Sequence, residues 1–142
     1  MVDLLNRLLR INLDASKGYA YAAEKIKNDN FRNFLISYAD RRKHYAEELK
    51  GAILNLGGHV HENTTLLGEL HQAFMKLRES VSPASDSALL DECVRGEGEA
   101  ITQYKKVLRT DDLNPDLRQL IMTHFNKIRA AQSTMEELER VV

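Results

Sequence analysis

Cysteine occurs once in the 142 residues, at Cys93, proline twice and glycine seven times. A single thiol cannot close an internal disulfide. With 43% hydrophobic and 29% charged residues and so few helix breakers, the chain is a core former of single-domain length. Charge of one sign is also lacking: twenty basic against twenty-one acidic side chains leave a net charge of -1. No global field then draws in nucleic acid, an anionic membrane or a cationic substrate. Charged or amide side chains interrupt every apolar segment well short of the roughly 20 residues a bilayer requires, so no membrane span is expected. The opening Met1-Val2-Asp3-Leu4-Leu5-Asn6-Arg7 lacks a basic n-region followed by an apolar run, which makes the cytoplasm the expected compartment. Glycine-rich phosphate loops, a nucleophile elbow, tandem repeats and low-complexity tracts are absent as well.

What is there is helical periodicity. Leu4, Leu8, Ile11, Ala15, Gly18, Ala22 and Ile26 recur at three- and four-residue steps, predicting a first helix that closes near Asn28-Asp29-Asn30. A second follows almost at once, with Asp29 or Asn30 as its N-cap and Phe31, Phe34, Tyr38, Arg42, Tyr45, Leu49, Ala52 and Leu56 on its stripe. Gly57-Gly58 ends it. So short a link between long helices forces an antiparallel hairpin. A third helix begins at Ala88-Leu89-Leu90 and continues through Cys93, Glu97, Ala100, Tyr104 and Val107 until the break from Asp111 to Pro115. Asn114-Pro115-Asp116 is a strong start signal: a capping side chain, a proline that loses no hydrogen bond at the first position, and an acid at the positive dipole end. The fourth stripe reads Leu117, Ile121, His124, Ile128, Ala131, Met135 and Leu138, completing a second hairpin.

Between the hairpins, Gly58 to Pro83 is too long for a turn, and Leu66, Leu67, Leu70, Phe74 and Leu77 mark a short amphipathic helix within it. Such a connection can run the length of a bundle, which allows the third helix to lie parallel to the second. The expected architecture is therefore all-α: a ferritin-like four-helix bundle of two antiparallel hairpins with a short helix in the long crossover, one domain over residues 1–142.

Polar residues converge at mid-bundle. Asp14 and Lys17 lie near the level of Asp40 to His44, and Arg42, Glu97 and His124 fall inside their stripes. A di-iron bundle takes one glutamate from each of two helices and a Glu-x-x-His pair from each of the other two, because that spacing aims oxygen and nitrogen down one face. Three residues before His44 stands Arg41 and three before His124 stands Ile121, so the pairs are missing. Arg42 brings a positive charge to the seam instead. The favoured reading is a polar layer in which Arg42 pairs with Glu97 and helps to fix which helices meet. The alternative is one divalent ion held by Glu97, His124 and His44 with an open position, a donor set that suits iron or zinc. His59 and His61, beside Glu62, are read as solvated loop residues, and His71 as a partly covered residue of the connecting helix. Cys93 reads as a small buried hydrophobe, and Tyr19, Tyr21, Tyr38, Tyr45 and Tyr104 as packing residues with hydrogen-bonded hydroxyls. Gly96 and Gly98 each cost a helix about 1 kcal/mol relative to alanine, and close helix approach or room for an aromatic such as Tyr19 is the expected reason.

Several segments carry a family resemblance over essentially the whole chain. They are Asp14-x-x-x-Gly18-Tyr19-x-x-Ala22-Ala23-Glu24, Leu56-Gly57-Gly58, Leu70-His71, and Glu92-Cys93-x-Arg95-Gly96-Glu97 with Tyr104. The chain resembles the uncharacterised bacterial ferritin-like four-helix-bundle proteins grouped as a domain of unknown function. The resemblance implies the ferritin-like fold, and a family in which the full di-iron ligand set is missing. This chain departs from it at Gly98, where relatives carry an acid, and at Arg41, where they often carry glutamine. The leading functional expectation is a non-enzymatic bundle, with no cofactor, acting through self-association or a protein partner, in stress physiology as ferritin relatives suggest. Its rival is a metal-binding oxidoreductase or iron-handling protein with a degenerate core site.

Overall fold

A computed structural model describes residues 1–62, 85–111 and 113–141, and among these residues the chain is helical with no strand. Four long helices follow one another as α1 (Val2–Lys25), α2 (Asp29–Asn55), α3 (Asp86–Leu108) and α4 (Pro115–Arg140). The connecting helix expected around Leu66 to Leu77, and His71 within it, lie outside the described residues.

Each start and stop has a local cause. Asn28, not Asp29 or Asn30, caps α2: its side chain accepts from the backbone N–H groups of Asn30 and Phe31 at 2.9 and 3.2 Å. Arg32 reaches back from α2 to the end of α1, donating to the carbonyls of Ala23 and Ile26 at 3.0 and 2.6 Å, so the second helix satisfies orphan acceptors of the first. Ser85 caps α3 two residues earlier than the apolar stripe suggests. Asn114 caps α4, with Pro115 at its first position, as the sequence signal requires. At the end of α2, Gly57 N–H donates to Leu54 O and Gly58 N–H to Ile53 O, both at 3.0 Å, which is the paired bonding of a Schellman motif. Gly57 sits at φ +75°, a left-handed conformation that glycine adopts without penalty.

Two apolar clusters set the helix order. At one end the close of α1 (Ala22, Ile26), the start of α2 (Phe31, Leu35), the start of α3 (Leu89, Leu90) and the close of α4 (Met135) pack together. At the other end the start of α1 (Leu5, Leu8, Leu9) meets the close of α2 (Leu49, Ile53), the close of α3 (Tyr104, Val107) and the start of α4 (Leu117, Ile121). Hence α2 and α3 run parallel and α1 and α4 run opposite to them. Backbone packing joins α1 to α2 and α3, and α4 to α3 and α2, so the parallel helices α2 and α3 stand on a diagonal. Asp86 pins this order at its first residue, accepting from the backbone N–H groups of Lys27 and Asn28 at 2.8 and 3.1 Å in the turn between α1 and α2. At the opposite end the buried Asn6 donates to His59 O at 2.9 Å and accepts from His61 N–H at 2.8 Å, fastening the chain as it leaves α2.

The third and fourth stripes match the buried residues almost one for one. On the first, Leu8, Ala15, Gly18, Ala22 and Ile26 are buried as expected and Leu5, Leu9, Asn12 and Tyr19 join them, while Leu4 and Ile11 sit at the edge of the core, a slight rotation of the face. On α2 the expected Phe31, Tyr38, Arg42, Tyr45 and Leu49 are buried and Leu35, Ala39, Ala46 and Ile53 join them, whereas the expected core residues Phe34 and Leu56 are both exposed. A helix with two antiparallel neighbours buries a wide sector, so several parallel rows fit its periodicity equally well. Gly98 does allow close approach, but its neighbour is α4 and not Tyr19: an added Cβ would stand 3.3 Å from Gln132 Nε2.

Gly57→Ala, which forces a side chain into the left-handed region, is expected to lower the unfolding free energy by about 1–2 kcal/mol. Urea denaturation checks it, and an unchanged midpoint would mean that the turn does not hold this conformation in solution.

Candidate functional site

The middle of the bundle, between the two apolar clusters, is polar. Arg42, Glu97, Asn12 and His124 are all at most 2% exposed. Arg42 Nη1 donates to Glu97 Oε1 in a buried ion pair that reaches across the diagonal from α2 to α3. A guanidinium only donates, so the Asn12 oxygen must be the atom facing it, and Arg42 Nε lies 2.6 Å from Asn12 Oδ1. The Asn12 amide nitrogen is thereby turned toward Leu8 O and the Tyr104 hydroxyl, each at 2.8 Å. Tyr104, having accepted, spends its own hydrogen on His124 Nδ1 at 3.0 Å. The histidine proton then resides on Nε2, which donates to Glu48 Oε1 at 3.2 Å. One directional chain of donors thus runs from a buried cation on α2 through α1, α3 and α4 to a carboxylate that is 37% exposed back on α2. The Tyr45 ring stacks on His124 with centroids 4.4 Å apart and holds the imidazole plane.

Burial dominates the electrostatics. It works against the Arg42 charge, but the neighbouring Glu97 carboxylate and the hydroxyls of Tyr19 and Tyr104 outweigh it, and the Arg42 pKa stands above the usual arginine value. Burial also raises the Glu97 carboxyl above the ordinary range, against the opposing pull of the Arg42 charge and hydrogen bond and of the nearby Tyr19 hydroxyl. For His124, loss of solvent lowers the pKa from 6.5 to about 4, with Arg42 and Lys127 adding to the decrease and Glu48 resisting it. The imidazole is therefore neutral at pH 7, as the donor chain demands. Cys93 is fully buried and its thiol is pushed well above its normal value, leaving an inert side chain.

The three residues proposed as metal ligands from the sequence are not brought to one point. Glu97 is engaged by Arg42. His124 and His44 both approach Glu48 Oε1, at 3.2 and 3.6 Å, with His44 72% exposed on the outer surface of α2. Among the described residues no group of three or more His, Cys, Asp or Glu side chains is placed to hold a metal ion. The donor set does not fit a dinuclear centre: its central carboxylate is neutralised by a guanidinium, and no Glu-x-x-His pair precedes His44 or His124. His59 and His61 are exposed, and Glu62 is paired with Lys50. Sequence reasoning missed Asn12 and Glu48. Asn12 lies four residues after Leu8 and three before Ala15, a polar residue inside an apolar row, and that spacing was the available signal. Glu48 offered none, because it looks like any exposed helical acid.

Together these features define, among the described residues, an all-helical protein of four long helices with a hydrogen-bonded polar layer at its centre. Residues 1–110 match the family described as Domain of unknown function (DUF2383), and the chain belongs to that family. No curated protein matches it. No helix among the described residues is long and apolar enough to cross a membrane.

His124 makes stability depend on pH with a definite sign. Its folded pKa lies below its unfolded value, so the unfolded chain binds the extra proton and the fold weakens as pH falls from 6.5 toward about 4. The loss across that window is expected to be about 3 kcal/mol at ~1.4 kcal/mol per pH unit. Urea unfolding at several pH values checks this against His124→Gln, which keeps polar atoms but does not titrate. Parallel acid profiles for the two proteins would contradict the assignment.

Proposed function

We propose that this chain is a ferritin-like bundle in which an internal ion pair has taken the place of a metal centre, and which acts without chemistry of its own, through self-association or a protein partner. The observation that carries the proposal is the Arg42–Glu97 pair. Glu97, the one buried carboxylate among the described residues, is bound to a fixed cation, which would have to be displaced before an iron or zinc ion could use it. The ferritin-like reading is supported by the parallel, diagonal placement of α2 and α3 across a long connection. Balanced surface charge and the absence of an apolar span fit a cytoplasmic setting, and a stress-related role follows from the ferritin likeness. Large apolar side chains left on the surface, among them Phe34, Ile36, Leu54 and Met122, are consistent with association.

The rival reading, a metal-binding oxidoreductase or iron-handling protein using Glu97, His124 and His44, predicts a different bench result. Protein purified without a histidine tag should carry far less than stoichiometric iron and zinc by elemental mass spectrometry, and should form a defined oligomer or retain a partner in light scattering. Near-stoichiometric metal that is lost on Glu97→Ala would overturn the proposal in favour of the rival. A strict monomer at high micromolar concentration with no co-purifying partner would remove its association half.

A further inference from the structure

The polar layer leaves three atoms unaccounted for. Tyr19 Oη on α1, Arg42 Nη2 on α2 and Glu97 Oε2 on α3 are buried and have no hydrogen-bond partner among the described residues. The Tyr19 hydroxyl lies close enough to Glu97 to pull its carboxyl pKa down as a hydrogen-bond donor would, yet it is outside the distance and angle of a formed bond. The three residues are 0%, 2% and 1% exposed, so bulk solvent does not supply the missing bonds. Each such group left unsatisfied costs about 1–3 kcal/mol, and more where it is charged, which is a large penalty to concentrate at one level of a bundle. The same three residues line one cavity of ≈ 10 Å³, together with Tyr38, Tyr45, Ile128 and the exposed Arg41 and Lys127. That is about the space that one water molecule needs.

The geometry points to an internal binding site for a single water molecule, held between Tyr19, Arg42 and Glu97. The donors and acceptors select the occupant. Arg42 Nη2 only donates and Glu97 Oε2, as a carboxylate oxygen, only accepts, so the guest must both accept and donate. An ammonium ion has no lone pair for the guanidinium, and a halide has no hydrogen for the carboxylate. A water accepts from Arg42 Nη2 and from the Tyr19 hydroxyl and donates one hydrogen to Glu97 Oε2. Three bonds is the usual complement of a buried water. So placed, it adds Tyr19 of α1 to a layer that already joins all four helices, and gives the otherwise unpartnered Arg42 Nη2 and Glu97 Oε2 a bond each.

The site is tested on the full chain in two ways. A crystal structure at atomic resolution should show one ordered water within about 2.6–3.2 Å of all three atoms. In solution, Tyr19→Phe removes the exchanging hydroxyl that would otherwise relay magnetisation from bulk solvent. Nuclear Overhauser cross-peaks between a long-lived water and the aromatic ring protons at position 19 should persist in that variant, because the water keeps Arg42 and Glu97. No density in the cavity, or a Tyr19 hydroxyl bonded directly to Glu97 Oε2, would overturn the inference. So would the loss of every long-lived water contact in a folded Tyr19→Phe protein.

Discussion

A guanidinium withdrawn from water needs both an anion and acceptors for a fork of N–H groups, and in this bundle different helices meet those needs. Glu97 of α3 supplies the charge and Asn12 of α1 takes Nε. Because α2 and α3 share no backbone packing, the Arg42 side chain is what connects the two parallel helices through the centre. Apolar clusters at either end would tolerate small changes in rotation or level, since aliphatic side chains repack with modest loss. The polar layer tolerates neither. A shift of one residue in α2 or α3 would strand a buried charge, and one in α1 or α4 would leave a buried polar group without its partner, which supplies the register that leucine and alanine alone leave loosely specified.

The direction of the hydrogen bonds follows from the same constraint. Arg42 fixes the Asn12 amide at one end, and at the other the Glu48 carboxylate, which only accepts, places the His124 proton on Nε2, so the Tyr104 hydroxyl between them accepts from Asn12 and donates to Nδ1. His124 is consequently a donor from Nε2 and an acceptor at Nδ1, a state that leaves its imidazole neutral and its protonation costly. His124 does give its Nε2–H outward to a carboxylate, as a metal-bound histidine usually does, but its Nδ1 lone pair is taken by the Tyr104 hydroxyl, so no free ring nitrogen faces the centre. The central residues thus look like those of a metal centre by position and unlike one by hydrogen bonding.

Much of this could be read from the sequence. The four helices, the Asn114 cap, the Gly57 stop and the in-stripe polar trio Arg42, Glu97 and His124 follow from spacing and local chemistry that a single chain displays. Rotation of the first two helices was less legible: Phe34 and Leu56 fit a three-four spacing as well as Leu35 and Ile53 do, and only the positions of neighbouring helices decide between them. Partner identity was harder still. Arg42 with Glu97 could be expected from charge, but the bond from Asn12 to Tyr104 joins residues 92 positions apart, and Glu48 meets His124 across 76. Local sequence carries no signal at such separations, which arise only when both hairpins are docked.

The most direct test of the account is a double-mutant cycle on Arg42 and Glu97, with Arg42→Met, Glu97→Leu and the double variant compared by urea unfolding. Each single change leaves a buried charge without its partner and should cost about 3–5 kcal/mol, whereas the double variant should lose far less than the sum of the two. Simple additivity would contradict the claim that this pair is what the rest of the bundle is built around.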